Sequence, residues 1–247
     1  SHGGGMAATS AVHINLFGPH PIVVKGSPEQ TARWIPRLVS GEDQCCFGFT
    51  EPNAGLNTTQ ITTFAKKVDG GYIVNGQKVW TSTAQVANKI MLLARTKKIE
   101  DCDMPPDEDL IGEEGKGFSY ILHSLNPERV LIAVEAIGIG QDALRRATQY
   151  AKERQVFGRQ IGKNQSIQHP LAENWMYLES SLNMAMKSAW LYDNGMPCGA
   201  EANAAKFLGA RAGYDAALQA VLTLGGMGYA KEYHLERLLR EVTLTRI

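Results

Sequence analysis

The sequence carries no excess of charge of either sign: 25 Lys and Arg stand against 25 Asp and Glu, a formal net charge of zero. That excludes the broad basic footprint with which a protein tracks nucleic acid or an anionic membrane. No apolar run approaches the roughly 18 residues of a membrane-spanning helix. Cysteine is scarce and unpatterned. Cys45, Cys46, Cys102 and Cys198 form no C-x-x-C and two of them are adjacent, so neither a zinc cage nor a disulfide framework is indicated. The six histidines are scattered without ligand spacing, and no metal site is expected. Such cysteine usage points to a reducing intracellular compartment. There is no internal repeat and no low-complexity tract. Residues 1–5 are small and polar and lack the charged and apolar regions of a secretory signal; they read as an expression scar or the stump of a larger protein. What is present is 44% hydrophobic and 20% charged residues over 247 positions, enough for a buried core in one large domain or two ordinary ones. An organic ligand suits this chain better than a metal.

Hydrophobic periodicity divides the chain into α, then β, then α. Residues 6–17 predict an apolar helix, broken by Gly18-Pro19-His20-Pro21. A second helix starts with Ser27 as N-cap and Pro28 at its first position, carrying Trp34, Leu38 and Val39 on one face. From Cys45 the texture changes. Residues 45–49, 58–67, 72–74, 78–83 and 89–94 are short, rich in β-branched and aromatic residues and divided by Gly or Asn, which predicts an antiparallel β region. Asp69-Gly70-Gly71 and Asn75-Gly76 are hairpin signals. Residues 97–109 are polar, acidic and Pro-containing, a loop or a place where sequence is missing. Beyond Gly117 the chain reads as helices over 118–125, from Asn126-Pro127 to about 157, from Asn164 or Ser166 to about 193, over 199–224 and over 232–245. Their three- and four-residue apolar spacing predicts an antiparallel bundle.

Each notable motif has an ordinary structural reading beside a functional one. Gly225-Gly226-Met227-Gly228-Tyr229 follows a helix, not a strand, so it is no Rossmann fingerprint. It is either a helix–helix turn or a backbone that a nucleotide can approach closely. Arg154 is either an ordinary cation in a last helical turn before Gly158 or a fork aimed at a pyrophosphate, with Phe157 adding an aromatic surface. Trp80 reads as core and Thr50-Glu51-Pro52 as a turn; together with Thr81-Ser82 they would also suit a flat heterocycle. Asn126, Pro127 and Glu128 suit the N-cap, first position and first turn of a long helix without any catalysis.

The order of the motifs is more specific than any one of them. Phe49-Thr50-Glu51-Pro52-Asn53-Ala54-Gly55, Asn75-Gly76-Gln77-Lys78-Val79-Trp80 and Leu110-Ile111-Gly112-Glu113-Glu114-Gly115-Lys116-Gly117-Phe118 resemble the acyl-CoA dehydrogenase family. So do Arg154-Gln155-Val156-Phe157-Gly158-Arg159-Gln160-Ile161 with Gln165, and Leu224-Gly225-Gly226-Met227-Gly228-Tyr229. The resemblance spans residues 6–247. It implies a mainly α protein with a central β domain: a remnant of an N-terminal helical domain at 1–43, a β-barrel-like middle domain at 44–116 and a C-terminal four-helix bundle at 117–247. It implies FAD as cofactor, acyl-CoA as substrate in fatty acid β-oxidation, an electron-transfer flavoprotein as acceptor and a homotetramer built as a dimer of dimers. It places the protein in bacterial cytoplasm, mitochondrial matrix or peroxisome.

Carried over residue by residue, the resemblance sets Phe47, Phe49, Thr50, Trp80 and Ser82 beside the isoalloxazine ring. It sets Arg154, Phe157 and Gln165 on the pyrophosphate and adenosine of an FAD held mainly by a neighbouring subunit, with Gly225 and Gly226 near the adenosine end. Departures are Leu56 where the family often has Ser, Asn57 where Asp is usual, Leu222 where a Gln commonly stands, and a stretch at 96–109 much shorter than the family's. Much of the N-terminal helical domain would precede residue 1, and the family's final helix would follow residue 247. Most members place the catalytic Glu past that point. A branch with isovaleryl- and long-chain-type enzymes uses a Glu at the start of the long bundle helix, which Pro127-Glu128-Arg129 matches. The resemblance therefore makes Glu128 the base that takes the α proton while the β hydride leaves to flavin N5, with Arg129 beside it as a structural cation on the substrate side. A helix N-terminus is expected to hold Glu128 ionised. Two other readings stay open: a family-like flavoprotein with a binding or interaction role, and an oxygen-using flavin oxidase of the same fold.

Overall fold

A computed structural model describes residues 4–96, 111–113 and 115–247. Cys102, Leu110, Glu114 and the predicted loop at 97–109 lie outside the described residues. The chain forms two compact units, Ile14–Leu125 and, separately, Ser1–His13 with Asn126–Ile247.

The first unit begins with the end of α1 (Gly5–Phe17), followed by α2 (His20–Lys25) and α3 (Pro28–Ser40). Gly18-Pro19 breaks the chain for only two residues, because Pro21 sits in the first turn of α2, where its missing N–H costs nothing. Ser27 caps α3 in a full capping box with Gln30, and Gly41 closes it with a left-handed φ of 77°. The β part differs from the prediction. β1 (Cys45–Gly48) pairs with β4 (Lys89–Leu92) in parallel, Cys45 opposite Lys89 and Gly48 opposite Leu92. Only β2 (Phe64–Val68) and β3 (Gly71–Asn75) form an antiparallel hairpin, around Asp69-Gly70. Among the described residues these are separate two-stranded ladders, not a closed barrel. Residues 58–60 are a short 3-10 turn rather than strand. Asn75-Gly76 makes no hairpin, and residues 78–83 run as turns.

The reason for those last departures is a buried carboxylate. Glu51, 4% exposed, accepts from the Thr62 amide at 2.6 Å and hydroxyl at 2.9 Å, the Thr63 amide at 2.9 Å and Lys78 Nζ at 2.9 Å. The same ammonium donates to the Phe49 carbonyl at 2.9 Å, and the Val79 amide donates to the Thr50 carbonyl. Residues 76–80 are thus tied to the Glu51–Ala54 turn instead of laddering as a strand. Gly76 is required there, since a Cβ would lie 2.6 Å from the Thr63 Cα. Burial opposes ionisation of Glu51, but the hydrogen bonds from Thr63, Thr62 and Lys78 outweigh it and hold the carboxyl well below the usual range.

The second unit is helical. α4 (Gly117–Glu153) enters it at Asn126 and is joined by α5 (Gln165–Asp193), α6 (Gly199–Leu224) and α7 (Leu235–Thr243). Small residues set the spacing of α4 and α6. A Cβ on Gly140 would stand 2.8 Å from the Gly213 Cα, and one on Gly209 would stand 2.9 Å from the Ala133 carbonyl oxygen. Ile139, Leu235, Leu238 and Val242 fill the core between α4, α6 and α7. α7 begins three residues later than expected, after a 3-10 turn at Lys231–Tyr233.

The Glu51 site yields a stability prediction. Glu51→Gln leaves Lys78 buried without its counter-charge and should cost about 3–5 kcal/mol at pH 7 in urea unfolding. Because the folded carboxyl titrates lower than the unfolded one, the native chain gains this stability above about pH 4.3 and loses it as acid protonates Glu51. The gap between native and variant should therefore narrow on acidification. A constant gap from pH 7 to pH 3 would refute the assignment.

Candidate functional site

The residues expected around a flavin ring all lie in the first unit. Phe47 is half-buried, its ring 4.6 Å from that of Phe17 and 5.7 Å from that of Phe49. Phe49 and Thr50 are also half-buried, and both offer their carbonyls to the 78–79 segment. Trp80 overturns the core reading. It is 90% exposed and sits at φ 58°, a left-handed backbone that costs a bulky residue about 1–2 kcal/mol. The Lys78 and Val79 tethers impose this geometry on the residue that follows them. Next to it the Thr81 hydroxyl is buried without a hydrogen-bond partner, while Ser82 is exposed.

The residues expected on the adenylate half lie in the second unit. Arg154 does not close the helix: α4 ends at Glu153, and Arg154 opens a small hairpin of β5 (Gln155–Val156) and β6 (Arg159–Gln160). Its tip is Phe157-Gly158, with φ 52° and 76°, the two positive values that a two-residue hairpin turn uses. Phe157 is fully exposed, and Arg154 is exposed beside it. Gln165 is the first residue of α5 and points to solvent. Asn164 occupies the N-cap position, but its side chain turns back to the Ile161 carbonyl and to Arg159. Gly225, at φ 60°, ends α6; it and Gly226 have open space where a Cβ would be.

Glu128 is placed differently from the expectation. Residues 118–125 and 126–153 form one helix with Pro127 inside it. Asn126 is therefore no N-cap, and no helix N-terminus acts on Glu128. The helix continues because Phe118 to Leu125 contain no breaker, and packing outweighs the roughly 3 kcal/mol that an interior proline costs. Asn126 instead accepts from Arg129 Nη1 at 3.0 Å, which occupies the cation expected on the substrate side. Glu128, 23% exposed, lies 3.6 Å from His13 Nε2. One helical repeat further along, Glu135 is 5% exposed and meets the Thr9 hydroxyl. Burial pushes the Glu135 carboxyl up, helped by the nearby Glu128 charge and opposed by Thr9 and His13. Thr9, His13 and Glu135 were not singled out from the sequence. The only signal for them was a Glu in an otherwise apolar helix face, matched by polar residues four apart on α1.

The sequence matches the family descriptions "Acyl-CoA dehydrogenase, middle domain" over residues 46–109 and "Acyl-CoA dehydrogenase, C-terminal domain" over residues 115–247. It is 33% identical over 275 residues to an acyl-CoA dehydrogenase of Bacillus subtilis, covering 96% of this chain and 72% of that one. It is 31% identical to the mitochondrial isovaleryl-CoA dehydrogenase of rice, Oryza sativa, covering 99% and 69%. The fold superposes on butyryl-CoA dehydrogenase from Megasphaera elsdenii with a TM-score of 0.90 at 29% identity, covering 97% and 74%. The chain belongs to the acyl-CoA dehydrogenase family, and is an oxidoreductase of that type. The Bacillus alignment is longer than this chain's 247 residues, so the relative carries internal sequence that this chain lacks.

The Glu135 environment predicts the opposite pH behaviour to Glu51. A carboxyl whose folded pKa is raised destabilises the native state increasingly as pH rises from about 4.3 through that raised value. Glu135→Gln keeps an acceptor oxygen for the Thr9 hydroxyl and carries no charge. It should raise stability at pH 8 by on the order of 1–3 kcal/mol and leave it unchanged at pH 4. A lower melting temperature at pH 8 would contradict this.

Proposed function

We propose that the protein is an FAD-dependent acyl-CoA dehydrogenase in which Glu128 removes the α proton of an acyl-CoA thioester. The observation that carries this reading is Glu128 itself: a largely buried carboxylate on α4 with a polar partner across from it, in the Pro127-Glu128-Arg129 segment that resembles the branch with a helix-borne base. A general base must lie within reach of the proton it takes, and exclusion of water by a bound thioester raises the basicity of a carboxylate. Arg129, tied to Asn126, keeps its cation beside the base without occupying it.

The residues assigned to FAD fit that group. Trp80 presents an uncovered indole beside the orphaned Thr81 hydroxyl, and Phe47, Phe49, Thr50 and Ser82 belong to the same unit. Arg154 and Phe157 project from a hairpin as a cation and an aromatic face, near Gln165 in sequence, and Gly225 and Gly226 leave their backbone open. When bound, FAD supplies the two-electron acceptor for the β hydride. Electrons would then pass to an electron-transfer flavoprotein. Exposed Trp175, Met186 and Trp190 on α5 and Phe207 on α6 are apolar surface of the kind that a homotetramer covers. A bacterial cytoplasm or mitochondrial matrix suits this activity and the relatives named above.

Two variants test the reading. Glu128→Gln should retain FAD and bind acyl-CoA yet slow anaerobic flavin bleaching by about 10²–10⁴-fold; bleaching at the native rate would remove Glu128 as the base. A native enzyme that binds acyl-CoA without bleaching would favour the binding role, and rapid peroxide release would favour the oxidase. Trp80→Ala should change flavin fluorescence while shifting stability by no more than about 0.5 kcal/mol, as for an exposed residue. Unaltered flavin spectra would leave Trp80 without a cofactor role.

A further inference from the structure

The α1 face that meets α4 carries two polar residues one turn apart, and α4 answers with two carboxyls. Thr9 meets Glu135, and His13 meets Glu128 at 3.6 Å. A step of four residues on α1 and of seven on α4 keeps each pair on one helix face. The contacts pair in reverse order, as antiparallel helices require. The two rungs differ in kind. The Thr9 hydroxyl donates to Glu135 and also lies 3.1 Å from the Met6 carbonyl. The Thr9–Glu135 rung is a partly buried side-chain hydrogen bond and fixes the register of α1 on α4. On the second rung His13 faces Glu128. At 3.6 Å the imidazole is within charge contact of Glu128 but beyond a good hydrogen bond, a spacing that catalytic pairs often show before substrate binds.

We propose that His13 is a positioning residue for Glu128: its Nε2 side holds the carboxylate in one orientation on the α1–α4 face, and the Thr9–Glu135 rung sets the distance at which it does so. The proposal rests on Glu128 being the base. His13 takes no proton from the substrate. Its part is to limit the carboxylate's rotamers, so that less ordering remains to be done when the thioester arrives. Arg129 does not compete for this role, because its guanidinium is bonded to Asn126.

The test uses the FAD-loaded full chain and whichever of butyryl-, isovaleryl- and octanoyl-CoA bleaches it fastest. His13→Ala should slow flavin bleaching at saturating substrate roughly tenfold and leave the half-saturating concentration unchanged. His13→Gln, whose amide nitrogen reaches about as far as Nε2, should recover most of that rate. In a Glu128→Gln background, His13→Ala should cause no further loss. A readout independent of activity is the His13 Nε2 resonance in nitrogen-15-labelled protein, identified by its absence in His13→Gln; it should move in Glu128→Gln. Native bleaching by His13→Ala, a Gln variant as slow as Ala, or an unmoved resonance would each overturn the proposal. If Glu128→Gln is inactive while His13→Ala is native, only the positioning role fails. If Glu128→Gln bleaches at the native rate, the base assignment itself fails.

Discussion

The backbones of α4 and α6 approach each other closely where they cross, and the position of Glu128 depends on that crossing. Gly140 meets Gly213 with no room for a methyl on either, and Gly209 lies equally close to Ala133. Dispersion forces fall steeply with distance, so this small-residue seam packs two long helices more tightly than Leu or Ile could. The seam uses positions 133, 136 and 140 of α4. At 100° per residue, positions 128 and 135 lie together on another face, turned away from α6. Ala133, Ala136 and Gly140 thereby determine that two glutamates face α1 instead of the bundle core. A larger residue at Gly213 would drive into the Ala136 carbonyl and rotate or displace that face.

The two most buried glutamates show how surroundings, not burial, set the state of a carboxyl. Glu51 and Glu135 are almost equally inaccessible, at 4% and 5%. Glu51 receives two amides, a hydroxyl and an ammonium, enough to replace its hydration, and is held ionised. Glu135 receives one hydroxyl contact and feels another carboxylate nearby, and is pushed toward the neutral form. The ionised one organises a loop segment: it draws Lys78 inward, ties residues 76–80 to the turn at 51–54, and leaves Trp80 uncovered in a strained backbone. The other is a strut between α1 and α4. Neither is among the residues proposed for cofactor or substrate: Glu51 anchors the segment that carries Trp80, and Glu135 lies seven residues along α4 from Glu128.

Local chemistry in the sequence was legible where it acted alone. Ser27-Pro28 and Gly41 mark the ends of α3, Asp69-Gly70 marks the β2–β3 turn, and residues 199–224 coincide with α6. It misled where tertiary contacts overrode it. Asn126-Pro127-Glu128 has every feature of a helix start, yet the helix begins at Gly117, because proline's local cost is smaller than the packing on both sides. The 78–83 segment has strand composition, yet Lys78 is pulled toward Glu51, so its backbone turns. No single-residue signal marks a parallel pairing of β1 with β4 across more than forty intervening residues. Of the candidate site, the identities of Glu128, Trp80 and Arg154 came from motif order; the partners His13 and Thr9 could not, since no motif contains them.

The exposure of the motif residues narrows the choice between a catalytic and a purely architectural reading. A residue retained for packing is buried, and one retained for a turn adopts a backbone that suits it. Trp80 is not buried, and Phe157 has a backbone that suits its hairpin turn but a ring that packs on nothing around it among the described residues. Both are large, both are nearly or wholly exposed, and both occupy positive φ, where Gly or Asn would fold at lower cost. An uncovered indole and phenyl ring at such positions fit the cofactor role proposed for them. For Trp80 the neighbouring orphaned Thr81 hydroxyl asks for a polar edge on that same partner; for Phe157 the adjacent Arg154 asks for an anionic one. On the proposed function, the flat heterocycle of an FAD would answer the first demand and the pyrophosphate of an FAD the second. On that proposal the exposure of the two rings belongs to the cofactor while the local tethers and the hairpin turn set their backbones, and the partly buried Glu128 on α4 is what would separate an enzyme from a protein that merely carries FAD.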